Sequence, residues 1–215
     1  DRFAAQINQA VQEARSCALS KLQPKLGIDI IFTDAFDDII PETHIGGHTY
    51  ASDFIAITLD STAKNIKTSD IFQTICHETA HAIRWQYNDE WSHRLFDAIV
   101  FEGLATAFEI QSAEDNGQTP NYFADKMLTN SDESNQKIWK VLKNHLASDK
   151  YNYTEIFFTG NKKANLSRWA GYSLGYYFIK KYTDTHKQTI DEVFAEKYSV
   201  FWNDLPSLWK KICGI

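Results

Sequence analysis

Apolar residues Phe3, Ile7, Ala10, Val11, Ala14 and Leu19 recur at helical spacing, so residues 2–22 are predicted to form an amphipathic helix that Pro24 ends. Leu26 to Phe32 is β-branched and reads as a strand, and Thr33 to Pro41 is acidic and turn-rich. Ile45 to Tyr50 reads as a flexible hinge centred on Gly46-Gly47. A second strand follows over 53–59, with Phe54, Ala56 and Thr58 on one face and Ile55, Ile57 and Leu59 on the other. Thr68-Ser69-Asp70 offers polar helix caps, and the helix after it is predicted to run to about Gln86, broken by Tyr87-Asn88-Asp89. The next helix opens at Trp91-Ser92, with Ser92 as its cap, and carries Leu95 to Gln111 before Asp115-Asn116-Gly117 ends it. Further helices are expected near 121–128, 133–147, 167–182 and 187–198, with a loop around Gly160-Asn161. Leu205 to Ile212 reads as a short aromatic helix or docking tail. The class is α+β and mostly helical: one domain over 1–215, with approximate lobes at 1–90 (mixed) and 91–215 (helical).

Composition narrows the partners. The chain has 215 residues, 43% of them apolar, 23% charged and 14% aromatic, enough for a sizeable core. The net charge is −6, and no basic cluster exceeds Lys180-Lys181 or Lys210-Lys211, so nucleic acid is not an expected partner. No apolar run approaches ~18 residues, so no membrane span is expected. Cys17, Cys76 and Cys213 form no CxxC pair and are odd in number, which favours a reducing, cytoplasmic setting over a disulfide scaffold. A chain opening on Asp1 rather than Met leaves a trimmed leader, and export, as the other option. Oligomeric state is not legible.

The candidate chemistry sits in the helix predicted over 68–86. His77 and His81 are four residues apart, one turn along one helix face, so both rings can hold one metal ion. Glu78 projects beside that metal and can take a proton from a bound water. This HExxH pattern is that of zinc hydrolases, and one Zn2+ per chain is expected. Cys76 points about 100° away from His77 and reads as a small core residue.

A catalytic zinc usually has three protein ligands and a water. Glu102, in Phe101-Glu102-Gly103-Leu104-Ala105, is the leading third ligand. His81 lies ~9 Å from its helix end and Glu102 ~15 Å into the next helix, so an antiparallel pair brings them to similar height. Gly103 and Ala105 remove bulk beside Glu102, which lets helices approach. Ala98, Ile99, Val100, Phe101, Leu104 and Ala107 make this helix largely apolar, where an unpartnered carboxylate costs several kcal/mol. The plainer alternative is an exposed acid, and Glu109, seven residues on, is the alternative ligand.

With His77-Glu78-x-x-His81 followed by Glu102-Gly103-Leu104-Ala105, the sequence resembles the glutamate-ligated zincins, or gluzincins. More narrowly it resembles a bacterial family of predicted zinc-dependent proteases. The resemblance spans roughly residues 28–182 and includes Ile45 to Leu59 and Gly171-Tyr172-Ser173-Leu174-Gly175-Tyr176. It implies a zincin-like fold, a small mixed sheet and active-site helix packed on a helical C-terminal lobe. It also implies zinc ligands His77, His81 and Glu102, with Glu78 as general base. One departure stands out: an aspartate that orients the first histidine in thermolysin-like members is here Thr106, whose hydroxyl orients an imidazole less strongly, and a backbone carbonyl, Asp97 or Glu109 could substitute.

The implied reaction is peptide-bond hydrolysis on a peptide or protein substrate. A tyrosine or histidine of the C-terminal lobe stabilises the oxyanion in glutamate zincins, and Tyr172 and Tyr176, one turn apart, are the candidates; both also suit a core role. The strand over 53–59 is expected to be an edge that pairs with the peptide, with Phe54 and Ile55 as substrate contacts. His48 is a loop histidine or a substrate contact, and His44 and His93 are expected in loop and surface positions. Arg168 suits a salt bridge better than a substrate carboxylate. The alternatives are a zinc hydrolase of a non-peptide amide, a protease domain cut from a larger toxin-like protein, and a non-catalytic zincin-like binding domain.

Overall fold

The computed structural model describes residues 3–35, 37–88 and 93–213, the last three of these by backbone alone. Cα proximity divides the chain into two units, Asp1–Asp89 with Phe108–Asp125 and Glu90–Ala107 with Lys126–Ile215.

In the first unit, α1 (Ala4–Lys21) turns a stripe of small residues, Ala10, Ala14 and Ala18, toward α2 (Thr68–Tyr87). Alanine at this spacing permits close helix approach. Three strands, β1 (Asp29–Asp34), β2 (Ile45–Ala51) and β3 (Phe54–Leu59), form a mixed sheet in the order β1-β3-β2. β3 pairs in parallel with β1 and antiparallel with β2. The fully buried Ile45, Ile55 and Ile57 join Ile71, Phe72 and Ile75 of α2 in the core.

Two expectations are corrected here. The strand over 53–59 is central, flanked on both sides, so it has no free edge; β1 and β2 are the outer strands. The Gly46-Gly47 segment is not a hinge but the start of β2, with neither glycine in the positive-φ region. Close approach explains both glycines: a Cβ on Gly46 would lie 1.8 Å from the Asp38 carbonyl oxygen, and one on Gly47 2.5 Å from Glu78 Cγ.

α3 (Leu95–Asp115) passes from the second unit into the first. The opening at Trp91-Ser92 lies outside the described residues. Gly117, at φ 64°, follows α3 as the sequence suggests. The helix at Thr68 has no side-chain cap, contrary to the polar signal; Lys67 takes the cap position in extended conformation.

The second unit contains α4 (Tyr122–Thr129) in part, α5 (Asp132–Leu142), a π-helix (Thr154–Thr159), α6 (Ala170–His186), α7 (Ile190–Val193) and α8 (Tyr198–Cys213). Ser131 caps α5 by accepting from the Ser134 N–H. The helix expected over 187–198 is only the four-residue α7, opened by a Thr189/Glu192 capping box. The expected C-terminal tail is the last part of a longer helix, α8, which tolerates Pro206. Phe96, Leu174, Phe178 and Phe201 centre this core. Gly103 of α3 meets Gly175 of α6: a Cβ on Gly103 would lie 2.4 Å from the Gly175 carbonyl. The small residue beside Glu102 thus admits α6. Among the described residues no helix is long and apolar enough to cross a membrane.

Candidate metal centre

His77, Glu78 and His81 lie mid-helix in α2, all buried, as the HExxH spacing predicts. The ring edges converge: His77 Nε2 and His81 Nε2 are 3.1 Å apart. Two ring nitrogens aimed at each other suit one cation, and the spacing fits two ligands of a tetrahedral zinc with Zn–N near ~2.0–2.1 Å. Glu102, in α3 and 4% exposed, completes the group: His77, His81 and Glu102 each offer an atom, all within 4.8 Å of one another. The donor set, two imidazoles and one carboxylate, fits zinc.

His77 is oriented from behind. Its Nδ1 lies 3.0 Å from Glu109 Oε2, so Nδ1–H donates to that carboxylate and the lone pair stays on Nε2. Glu109 Oε1 accepts from Asn121 Nδ2 at 2.9 Å. The loop before α4 is tied to α2 through Gln73: the Asn121 N–H donates to Gln73 Oε1 (2.7 Å), and Gln73 Nε2 donates to the Thr119 carbonyl (3.1 Å). Glu109 thus orients His77, and it is not in the His77–His81–Glu102 group that could hold a metal. Thr106 is fully buried, and its hydroxyl makes no hydrogen bond among the described residues. Of the substitutes considered, Asp97 is taken by Arg94 in a bidentate pair, with both contacts at 2.7 Å.

Glu78 is seated by β2. The Thr49 hydroxyl donates to Glu78 Oε2 at 2.7 Å and lies 3.0 Å from the Glu78 carbonyl oxygen. Gly47, two residues earlier on the same strand face, leaves the room that the Glu78 side chain occupies. Neither contact is visible in the sequence, because both cross between elements 29 or more residues apart.

Glu102 has a partner that sequence reasoning missed. The Tyr153 hydroxyl donates to Glu102 Oε1 at 2.5 Å. Burial, and next the Glu102 carboxylate, push the Tyr153 phenol well above its ordinary pKa, so it stays a proton donor. Nothing in the local pattern around Tyr153 marks it, since the following turn is a π-helix without a periodic signature.

The remaining candidates divide. Tyr172 is buried in α6, edge-on to Phe157 and Phe158, and close enough to Tyr153 to raise its pKa. Tyr176 is half-buried one turn on. Ile55 is fully buried, which withdraws it as a substrate contact; Phe54 is half-buried. His48 is exposed on β2, its ring 4.4 Å from that of Tyr50, on the strand face opposite Thr49. His44 Nδ1 lies 3.3 Å from Asp60 Oδ2, and His93 is exposed. Cys76 is fully buried and its thiol is pushed up by burial, consistent with a core role. Arg168 stacks over the Trp169 ring at 3.8 Å.

Comparison with known proteins agrees with the fold. An aminopeptidase N family protein from Idiomarina loihiensis is similar with a TM-score of 0.54 at 15% identity, over 92% of this chain and 37% of that one. "Uncharacterized protein YjfC" of Bacillus subtilis (strain 168) is 29% identical over 145 residues, 65% of this chain. The chain spans about half of that relative, 48%. A family profile described as "Predicted Zn-dependent protease (DUF2268)" matches residues 6–203. The chain belongs to that family.

Proposed function

We propose that this chain hydrolyses peptide bonds, with one zinc ion held by His77, His81 and Glu102. The observation that carries the reading is the pair of Nε2 atoms 3.1 Å apart beside a buried carboxylate. Bound there, zinc would polarise a substrate carbonyl and bring the pKa of a water toward ~7.

The chain's own residues supply the rest. Glu78 accepts the proton of the attacking water and returns it to the leaving amine. Thr49 engages Oε2, so Oε1 is the proton-carrying oxygen. Glu109 fixes His77 in the tautomer that offers Nε2. Tyr172 and Tyr176 are the proposed donors to the oxyanion. An extended peptide pairs with β2, the sheet edge that also touches Glu78, and His48 on that strand is the proposed flanking contact.

Zinc content by mass spectrometry, with digestion of a proteome-derived peptide library, tests the reading. Wild-type protein should hold about one equivalent and cut peptides; Glu78→Gln should keep the metal and lose about 10²–10⁴-fold in turnover. Substoichiometric zinc that added metal does not restore, or an active Glu78→Gln protein, overturns it.

A further inference from the structure

We infer that Tyr153 is a positioning residue of the metal centre: its phenol holds Glu102 Oε1, so that Glu102 presents Oε2 as a single-atom ligand. The inference rests on the reading of His77, His81 and Glu102 as zinc ligands.

At 2.5 Å the hydroxyl-to-carboxylate distance is at the short end of charge-assisted O–H···O⁻ bonds. A carboxylate with one oxygen committed to a neutral donor keeps a defined plane, which a glutamate side chain with several rotatable bonds does not hold alone.

A packed scaffold stands behind the phenol. Tyr153 enters the π-helix Thr154–Thr159, and the wide turn places its ring on Phe157, centroids 4.4 Å apart and 24° from parallel. Phe157 is fully buried and seated over Gly171, where a Cβ would lie 2.5 Å from the ring. The turn closes at Gly160, φ 75°, whose N–H donates to the Glu155 carbonyl at 3.0 Å. A Cβ on Gly160 would come within 2.7 Å of the Leu166 carbonyl oxygen and the Arg168 nitrogen. The Asn161 side chain donates to Glu155 Oε2 at 2.5 Å, pinning the same turn. Gly171, Phe157 and Tyr153 thus form one packed track that ends on Glu102. Tyr153 is 38% exposed, so the ring is held by its stack on Phe157 and by its hydroxyl. Such a group contributes little to the core and much to the direction of a carboxylate.

The test is metal affinity. Zinc Kd by chelator competition, and the visible spectrum of the cobalt(II) form, are measured for wild type, Glu102→Gln and Tyr153→Phe, with apo-protein melting alongside. Tyr153→Phe keeps the stacked ring and removes only the hydroxyl. It should weaken metal binding about 10–100-fold and alter the cobalt spectrum, with apo melting unchanged. A wild-type chain that binds neither metal overturns the metal reading itself. A wild type that binds, with Glu102→Gln impaired and Tyr153→Phe equal to wild type, overturns the role of Tyr153 alone. Weakened binding accompanied by a lowered apo melting temperature assigns Tyr153 to packing and overturns it as well.

Discussion

Glu78, Glu102 and Glu109 are all buried, and each carboxylate is held by a different donor: Thr49, Tyr153 and the His77–Asn121 pair. These partners give each acid a single orientation. Replacing Glu109 with Gln removes the charge that fixes the His77 ring; zinc affinity, by chelator competition, should fall about 10–100-fold. Thr49→Val removes the hydrogen bond to Glu78 while keeping the strand's shape. It should lower kcat with little change in KM, and Thr49→Ser should restore most of it, as steady-state assays on a cleaved peptide would show. His77, Glu78 and His81 were legible because their relation is local, one turn of one helix. Glu102 was legible because a carboxylate in a run of apolar residues needs a reason. Glu109 was readable only as one of several acids, and Tyr153 not at all, because its partner is 51 residues away and no spacing rule connects them.

Among the elements, helices with strong periodicity, such as α2, came through from the pattern. β2 did not, because two adjacent glycines weaken a strand signal that packing then overrides. Placing β3 at the sheet edge failed for a related reason: alternation along a strand shows its faces, not its neighbours. Two glycines carry a close helix contact. Gly103 and Gly175 bring α3 and α6 together backbone to backbone, with no flexible side chain to yield. Gly103→Ala should therefore destabilise by about 1–3 kcal/mol or more, despite the helix propensity that alanine adds. At ~2–4 °C per kcal/mol for a chain of this size, the melting temperature should drop by several degrees. Gly117→Ala meets open space but a positive φ, so its smaller loss should come from backbone strain alone.

For the whole molecule, the proposed zinc would link metal binding to stability, because it would bind the native chain and not the unfolded one. Added zinc at about 100 times its Kd should stabilise the native state by about 2.7 kcal/mol, read as a rise in melting temperature that EDTA reverses and His77→Ala abolishes. Ile45 at the start of β2 is bridged on its outer side by Ile40, and beyond it β3 is the one strand paired with β2 among the described residues, while Gly47 and Thr49 on β2 seat Glu78. A peptide long enough to pair along β2 would restrain the strand that aligns the base. Residues far from the scissile bond would then accelerate chemistry rather than only tighten binding. Lengthening a peptide substrate at a fixed cleavage site should accordingly raise kcat, and Thr49→Val should flatten that dependence.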